Sequence, residues 1–236
     1  MVKFSLIKKS NSQIDGASAP RVAVFVGGTS GVGKLTLGAI AKLGTTFKAY
    51  VVGRKESEAS FKPFAESLHE ANPNAEIVWI EGQVSLLSEA KRVCDHIKTL
   101  ESSIDLLFMT TGYVPFGGRQ SESFSPLPMR SELTTADTSE GLDISHALEF
   151  YTRICFTQNL LPLLRSSGRA RVISVRSPGL ESEWMFNPDD LLLEAPGAFG
   201  GIATQRHMSI MGTLALERLA EIPENQQIVF MHSHPG

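Results

Sequence analysis

The chain has 236 residues, 42% of them hydrophobic and 20% charged, a size that suits one α/β domain around a single large core. With 22 Lys and Arg against 25 Asp and Glu the formal charge is −3, so nothing sequence-wide draws it to DNA, RNA or an anionic membrane, and a small neutral or weakly charged partner is expected. Two cysteines, Cys94 and Cys155, lie in stretches that read as helix and suggest neither a disulfide framework nor a zinc cluster, which fits a reducing cytosol and a cytoplasmic location. The start, MVKFSLIKKSNSQ, has too short an apolar run for a signal peptide or a spanning helix.

Residues 1–20 read as a polar lead-in ending at Pro20, and residues 21–236 as one domain. RVAVFVGG is a short β-branched run closed by glycines, the pattern of a buried parallel strand, and GVGKLTLGAIAKLG reads as the helix after it. KAYVVG is a second strand. The charged segment that follows keeps Phe61, Phe64 or Ala65, and Leu68 at helical spacing. EIVWIEG is the third strand, and Leu86, Leu87, Ala90, Val93, Ile97 and Leu100 form the apolar stripe of the next helix. IDLLFMTTG is the fourth strand. From Tyr113 to about Thr138 the chain is rich in Gly, Ser and Pro, a long loop expected beside the site. Residues 141–164 predict one long helix, ARVISV a fifth strand, Arg176 to about Gly201 a second irregular loop, ATQRHMSIMGTLALERLA a helix, and QIVFMHSH a sixth strand. Six strands alternating with helices predict a three-layer αβα, Rossmann-type doubly wound parallel sheet.

Gly27-Gly28-Thr29-Ser30-Gly31-Val32-Gly33 falls between the first strand and first helix, where backbone N–H groups and the helix dipole hold a pyrophosphate. Side chains there would keep the backbone from the anion, and the last glycine lets the helix pack closely. The string is not a nucleoside triphosphatase loop, because Lys34 is followed by Leu35 where Ser or Thr is needed. At the end of the second strand, where an NAD site places Asp or Glu on the ribose hydroxyls, the chain has Gly53-Arg54-Lys55, with Ser57 close behind. Two cations favour the 2′-phosphate of NADP(H) over NAD(H). Two solvated basic residues capping a strand are the plainer alternative.

The spacing of Gly27, Gly31 and Gly33 resembles the short-chain dehydrogenase/reductase superfamily. Thr110, Thr111 and Gly112 stand in the Asn-Ala-Gly positions of its fourth strand, TLALERLA matches the end of its active-site helix, and HSHPG matches the Pro-Gly after its sixth strand. The resemblance runs from about Arg21 to Gly236 and is strongest to fungal, often biosynthetic-cluster, reductase-like proteins sharing DLLFM-x-x-GY, EGLD, NLLPLL, TLALE-x-LA and HS-x-PG. It implies an oxidoreductase on a small, secondary-metabolite type of substrate, adenine contacts from Gln83 and Val84 in place of the usual Asp-Val, and a homodimer through the long helices. Relatives continue past Pro235-Gly236 with a substrate-covering segment and a seventh strand. The domain is therefore expected to be incomplete at its C-terminus relative to them, as a fragment or with a partner covering the edge of the sheet.

The resemblance breaks at the catalytic pair. Members that transfer hydride carry Tyr and, four residues on, Lys on one helix face; those positions here hold Gln205 and Ser209. The three tyrosines, Tyr50, Tyr113 and Tyr151, are followed four residues later by Arg54, Gly117 and Cys155, so no Tyr-x-x-x-Lys occurs. A Gln amide donates a hydrogen bond but supplies no proton near neutral pH. The helix Asn falls near Glu149, and Ser177 aligns with the catalytic Ser, although a Ser before Pro178-Gly179 also suits an ordinary turn. A positioned acid contributes about 10²- to 10⁴-fold, so ordinary ketone reduction should be heavily suppressed while cofactor binding survives. His207, two places after Gln205, turns off that face and is expected to be satisfied or exposed. His232 and His234 have no evident third ligand, and no metal is expected. Two readings compete with an NADP(H) oxidoreductase that uses Ser177, Gln205 or water. One is a non-redox cyclase or isomerase in the same pocket, the other a nucleotide-binding pseudoenzyme.

Overall fold

The computed structural model describes residues 3–112, 138–176, 179, 181 and 186–234. Six strands form one sheet: β1 (Val22–Val26), β2 (Phe47–Gly53), β3 (Ala75–Glu81), β4 (Leu106–Met109), β5 (Arg171–Val175) and β6 (Val229–Ser233). Their spatial order is β3-β2-β1-β4-β5-β6 and every pair is parallel. Val24 pairs with Tyr50 on one side and Leu107 on the other, and Ser174 pairs with His232. The order reverses between β1 and β4, which opens a crevice at their carboxyl ends.

The pleat sends alternate residues to opposite faces, so each strand feeds two cores. Val24, Val26, Tyr50, Leu107, Met109 and Val172 pack with the apolar stripes of α4 (Leu87–Leu100) and α6 (Thr152–Ser167) and with Leu216 and Leu219 of α7 (Gly201–Ala220). Phe25, Ala49, Val51 and Phe108 pack with Leu37 of α2 (Gly31–Ala41) and with Phe61 and Leu68 of α3 (Lys55–Ala71). Glu56 and Glu58 in the first turn of α3 oppose its helix dipole, and Gly168, at φ +69°, ends α6 in the left-handed conformation that glycine adopts without strain.

Two segments differ from expectation. The lead-in contains a helix, α1 (Phe4–Asn11), none of whose residues is buried; Phe4 and Leu6 are its most exposed apolar side chains. The long helix expected over residues 141–164 is not continuous. It begins as α5 (Ile144–His146), with Asp143 accepting from the Ser145 and His146 backbone N–H groups, widens into a π turn at Ala147–Tyr151, and continues as α6. Such turns insert a residue into a helix and gather at functional sites. This one carries Glu149.

Candidate functional site

A cleft of about 600 Å³ opens at the carboxyl ends of the strands, on the β1/β4 reversal. Its floor is the turn between β1 and α2, where Gly27, Thr29, Ser30, Gly31 and Val32 all line the space. Gly27 has φ +100°, and a Cβ there would lie 2.6 Å from Thr110 Oγ1 and 2.9 Å from Thr111 N. Gly33 does not line the cleft. A Cβ on it would collide with the Gly27 carbonyl and sit 2.9 Å from Thr110 Oγ1, so its role is to let α2 start against the turn. Thr110 closes the turn from the β4 side, its hydroxyl donating to the Gly27 carbonyl at 2.8 Å.

Gly31 is different. It has φ +52° and a Cβ there would meet nothing within 4 Å, and no side chain caps α2, since Ser30 makes no cap bond. The first turn of the helix therefore opens toward the cleft with free space over Gly31, the arrangement that receives an anion. Backbone N–H groups at such a helix start are a general means of holding a pyrophosphate.

Arg54 and Ser57 line the β2 side of the cleft together with Gly53, whereas Lys55, the first residue of α3, is exposed and does not line it. Of the two cations expected there, only Arg54 reaches the space, because successive residues at a helix start diverge around the axis. Gln83 and Val84 line the third side; the Gln83 amide donates to Ser85 Oγ at 2.8 Å, and the Val84 carbonyl accepts from the Thr152 hydroxyl. Thr111 and Gly112 continue the wall from β4.

The far end of the cleft is polar and charged. Glu149, 2% exposed, accepts from Gln205 Nε2 at 2.8 and 3.0 Å and pairs with Arg176 Nη1 at 2.6 Å, while Arg176 Nη2 donates to Gln205 Oε1 at 3.0 Å. The three side chains close a ring in which the Gln205 amide is oriented by both charges. Arg153 lies behind them, buried, donating to the carbonyls of Met109 at 3.2 Å, Val175 at 3.1 Å, Leu148 at 3.3 Å and Thr111, and to Ser174 Oγ at 2.6 Å. It ties β4 and β5 to the π turn. Burial, and after it the charge of Arg176, pushes the Arg153 guanidinium down, while Glu149 opposes the shift. Burial likewise lowers Arg176, again against the pull of Glu149.

His234 also lines the cleft, its Nδ1 donating to the Arg176 carbonyl at 3.0 Å. His232 points instead to α7, with Nδ1 2.8 Å from Thr213 Oγ1. Among the described residues no group of three or more His, Cys, Asp and Glu could hold a metal. Ser209 is buried and does not line the cleft, and Ser177 lies outside the described residues. His207 does turn away from the Gln205 face. It is, however, neither exposed nor satisfied: both ring nitrogens are buried without a hydrogen bond, and its ring packs 4.8 Å from that of Phe186. Burial is the first cause holding its pKa down.

Sequence reasoning missed Arg153 and Arg176, and weighed His234 only as a metal ligand and not as part of the cleft. The one signal was an Arg at the end of an apolar strand and another inside an apolar helix, where charges are rarely buried unless paired.

This site can be set beside known proteins. The chain is 36% identical, over all of its length, to the NmrA-like family domain-containing oxidoreductase notO of Aspergillus sp., and 34% identical to the oxidoreductase andH of Emericella variicolor. Over 91% of its length it is 26% identical to a short-chain dehydrogenase/reductase of Stachybotrys chartarum. The chain is similar to fungal proteins named as oxidoreductases and as short-chain dehydrogenase/reductases. It spans only part of these proteins: 66%, 63% and 60% of their respective lengths. No family model matches. A metagenomic short-chain oxidoreductase solved with NADP superposes with a TM-score of 0.65 at 15% identity, over 92% of this chain and 81% of that one. The NADH-dependent reductase A1-R′ solved with NAD gives 0.64 at 17%, over 92% and 78%. These two likenesses carry the fold. Among the described residues no helix is long and apolar enough to cross a membrane.

Proposed function

We propose that this short-chain dehydrogenase/reductase homologue is the cofactor-binding part of an oxidoreductase that takes NADP(H) in preference to NAD(H) and acts on a small secondary metabolite. The observation that carries the reading is the continuity of one cleft. It runs from the uncapped start of α2 at Gly31, past Arg54 and Ser57, to the Glu149, Gln205 and Arg176 ring. The α2 N–H groups hold the pyrophosphate, and Arg54 pairs with the 2′-phosphate at a position where an NAD site would carry an acid. Val52, Val84, Leu148 and Val175 supply apolar walls that exclude water. The names of the relatives support oxidoreductase chemistry, and solved neighbours bind either nicotinamide cofactor.

Bound there, the nicotinamide would supply or accept hydride. At the substrate end Gln205 acts as an oriented hydrogen-bond donor and not as an acid, since its amide does not ionise near neutral pH. Ser177, next in the chain after Arg176, is the candidate hydroxyl. The test is a calorimetric titration with NADPH and with NADH. Arg54→Ala should weaken NADPH by roughly 10- to 100-fold, the loss of one charge-assisted phosphate pair, and leave NADH nearly unchanged. Failure of the unmodified chain to bind either cofactor refutes the proposal.

A further inference from the structure

The helix of the lead-in packs on nothing. α1 (Phe4–Asn11) is eight residues long and none of them is buried; Phe4 is 70% exposed, Leu6 56% and Ile7 43%. A helix this short is marginal in water, and one that buries nothing gains no packing to hold it, so its apolar side calls for a surface to lie on. At about 100° per residue Leu6, Ile7 and Phe4 span an arc of about 160° around the helix. Lys8 borders that arc beyond Phe4, its Nζ 5.1 Å from the ring centroid, and Lys9 borders it beyond Leu6. Residues 1–14 include Lys3, Lys8 and Lys9 and no Asp or Glu, whereas the whole chain carries a charge of −3. Positive charge is therefore gathered on the segment whose apolar side chains are uncovered, and the rest of the chain is acidic.

A helix that fills a groove on a protein repeats its apolar anchors over several turns, at spacings such as i, i+4 and i+7. In α1 they stop within the first two turns, at Ile7, and Lys8, Lys9, Ser10 and Asn11 follow. A small apolar face edged by lysines on both sides suits a bilayer interface, which needs no run of anchors along the helix. The lead-in also has a fixed root. The Asp15 carboxylate accepts from the N–H groups of Ala17 at 3.0 Å and Ser18 at 2.9 Å, Arg169 donates to the Ala17 carbonyl, and Ala19 is buried. That root lies at the amino ends of β1 and β5, and the cleft opens at the carboxyl ends.

We propose that α1 is a membrane-surface anchor: Phe4, Leu6 and Ile7 enter the interface of an anionic bilayer, and Lys8 and Lys9 pair with its headgroups. Repulsion between the acidic remainder and the surface confines contact to this segment and leaves the mouth of the cleft free. The inference does not depend on the cofactor reading.

The test is flotation of the unmodified chain with phosphatidylcholine vesicles made with and without phosphatidylserine. Binding should be saturable on the anionic vesicles and at least about tenfold weaker on the neutral ones, since each lysine at such a surface is worth about fivefold. Salt at about 1 M, which shortens the Debye length to about 3 Å, should bring the two close together. On binding, amide exchange over residues 4–11 should slow at least about tenfold while exchange in the sheet stays unchanged. Leu6→Gln with Ile7→Gln, and separately Lys8→Gln with Lys9→Gln, should each weaken anionic-vesicle binding at least about tenfold. None of these side chains is buried, so the melting temperature and the NADPH titration of each double variant should match those of the unmodified chain. No flotation, the outcome if an acidic protein is what meets this face, overturns the proposal. Equal binding to both kinds of vesicle does so too, as does unaltered binding in either double variant. Slow exchange of α1 before lipid is added would mean that another part of the chain covers it. A lipid-free dimer that Leu6→Gln with Ile7→Gln dissociates would mean that a second copy does, and either result overturns the anchor.

Discussion

Gly31 allows the proposed phosphate cradle to be tested apart from the stability of the fold. Its φ of +52° lies in the left-handed region, and a Cβ there would meet no atom within 4 Å. Gly31→Ala therefore costs the folded protein only the backbone penalty of a non-glycine residue in that region, about 1–2 kcal/mol. At this chain length that lowers Tm by roughly 2–8 °C. Gly44, at φ +74° and also with nothing within 4 Å, lies outside the cleft, so Gly44→Ala pays the same penalty and serves as the control. The two variants separate in binding. If a pyrophosphate rests over Gly31, the new methyl group displaces it from at least one backbone N–H. A charge-assisted bond is worth about 1.5–3 kcal/mol, so NADPH affinity should fall roughly 10- to 100-fold in Gly31→Ala and stay unchanged in Gly44→Ala. Thermal melts and calorimetric NADPH titrations of the three proteins supply both numbers. Equal NADPH affinity in all three would show that Gly31 serves only to turn the chain.

Two further outcomes follow from buried polar groups. Asn72 Nδ2 donates to the carbonyls of Ala41 at 2.8 Å and Thr45 at 2.9 Å while its Oδ1 accepts from Asn74 N at 3.0 Å, joining the end of α3 to the α2–β2 connection. Asn72→Ala should cost about 2–4 kcal/mol in urea unfolding, and a loss below about 0.5 kcal/mol would mean that water replaces the amide without penalty. Burial, with the charge of Arg153 second, holds His232 down at about 4. The unfolded chain then takes up the proton first, near the ordinary pKa of about 6.5. The contribution of His232 is full above that value, is lost as pH falls toward about 4, and changes no further below it. Allowing for solvent screening of a half-buried ring, the loss is about 1–2 kcal/mol, and His232→Gln should flatten the stability profile over that range. An unchanged slope in the variant would assign the acid sensitivity to another group.

Much of the glycine-turn end of the cleft was legible because its signals are local. Strand, glycine turn and helix follow one another over residues 22–41, and the free space over Gly31 is the counterpart of the missing side chain. Lys55 shows the limit of such reading. It is adjacent in sequence to Arg54, yet the start of α3 turns it out of the cleft. His207 shows another: its position two residues from Gln205 indicated that it faces elsewhere, but not that it would be buried against Phe186. The π turn at Ala147–Tyr151 had no marker, since no Gly or Pro interrupts ALEFY and its apolar spacing suits an ordinary helix. The segment is tied instead by contacts from distant elements, the Thr152 hydroxyl on the Val84 carbonyl and the Arg153 fork on β4 and β5.

The sequence by itself determined the parallel sheet and the glycine turn after its first strand. Strand and helix periodicity and the conformational freedom of glycine act over a few neighbouring residues, and chain order then limits the topology. The polar end of the cleft was decided only by tertiary structure. Gln205 meets Glu149 across 56 residues of chain and Arg176 across 29, so the ring forms only when folding removes these groups from water together.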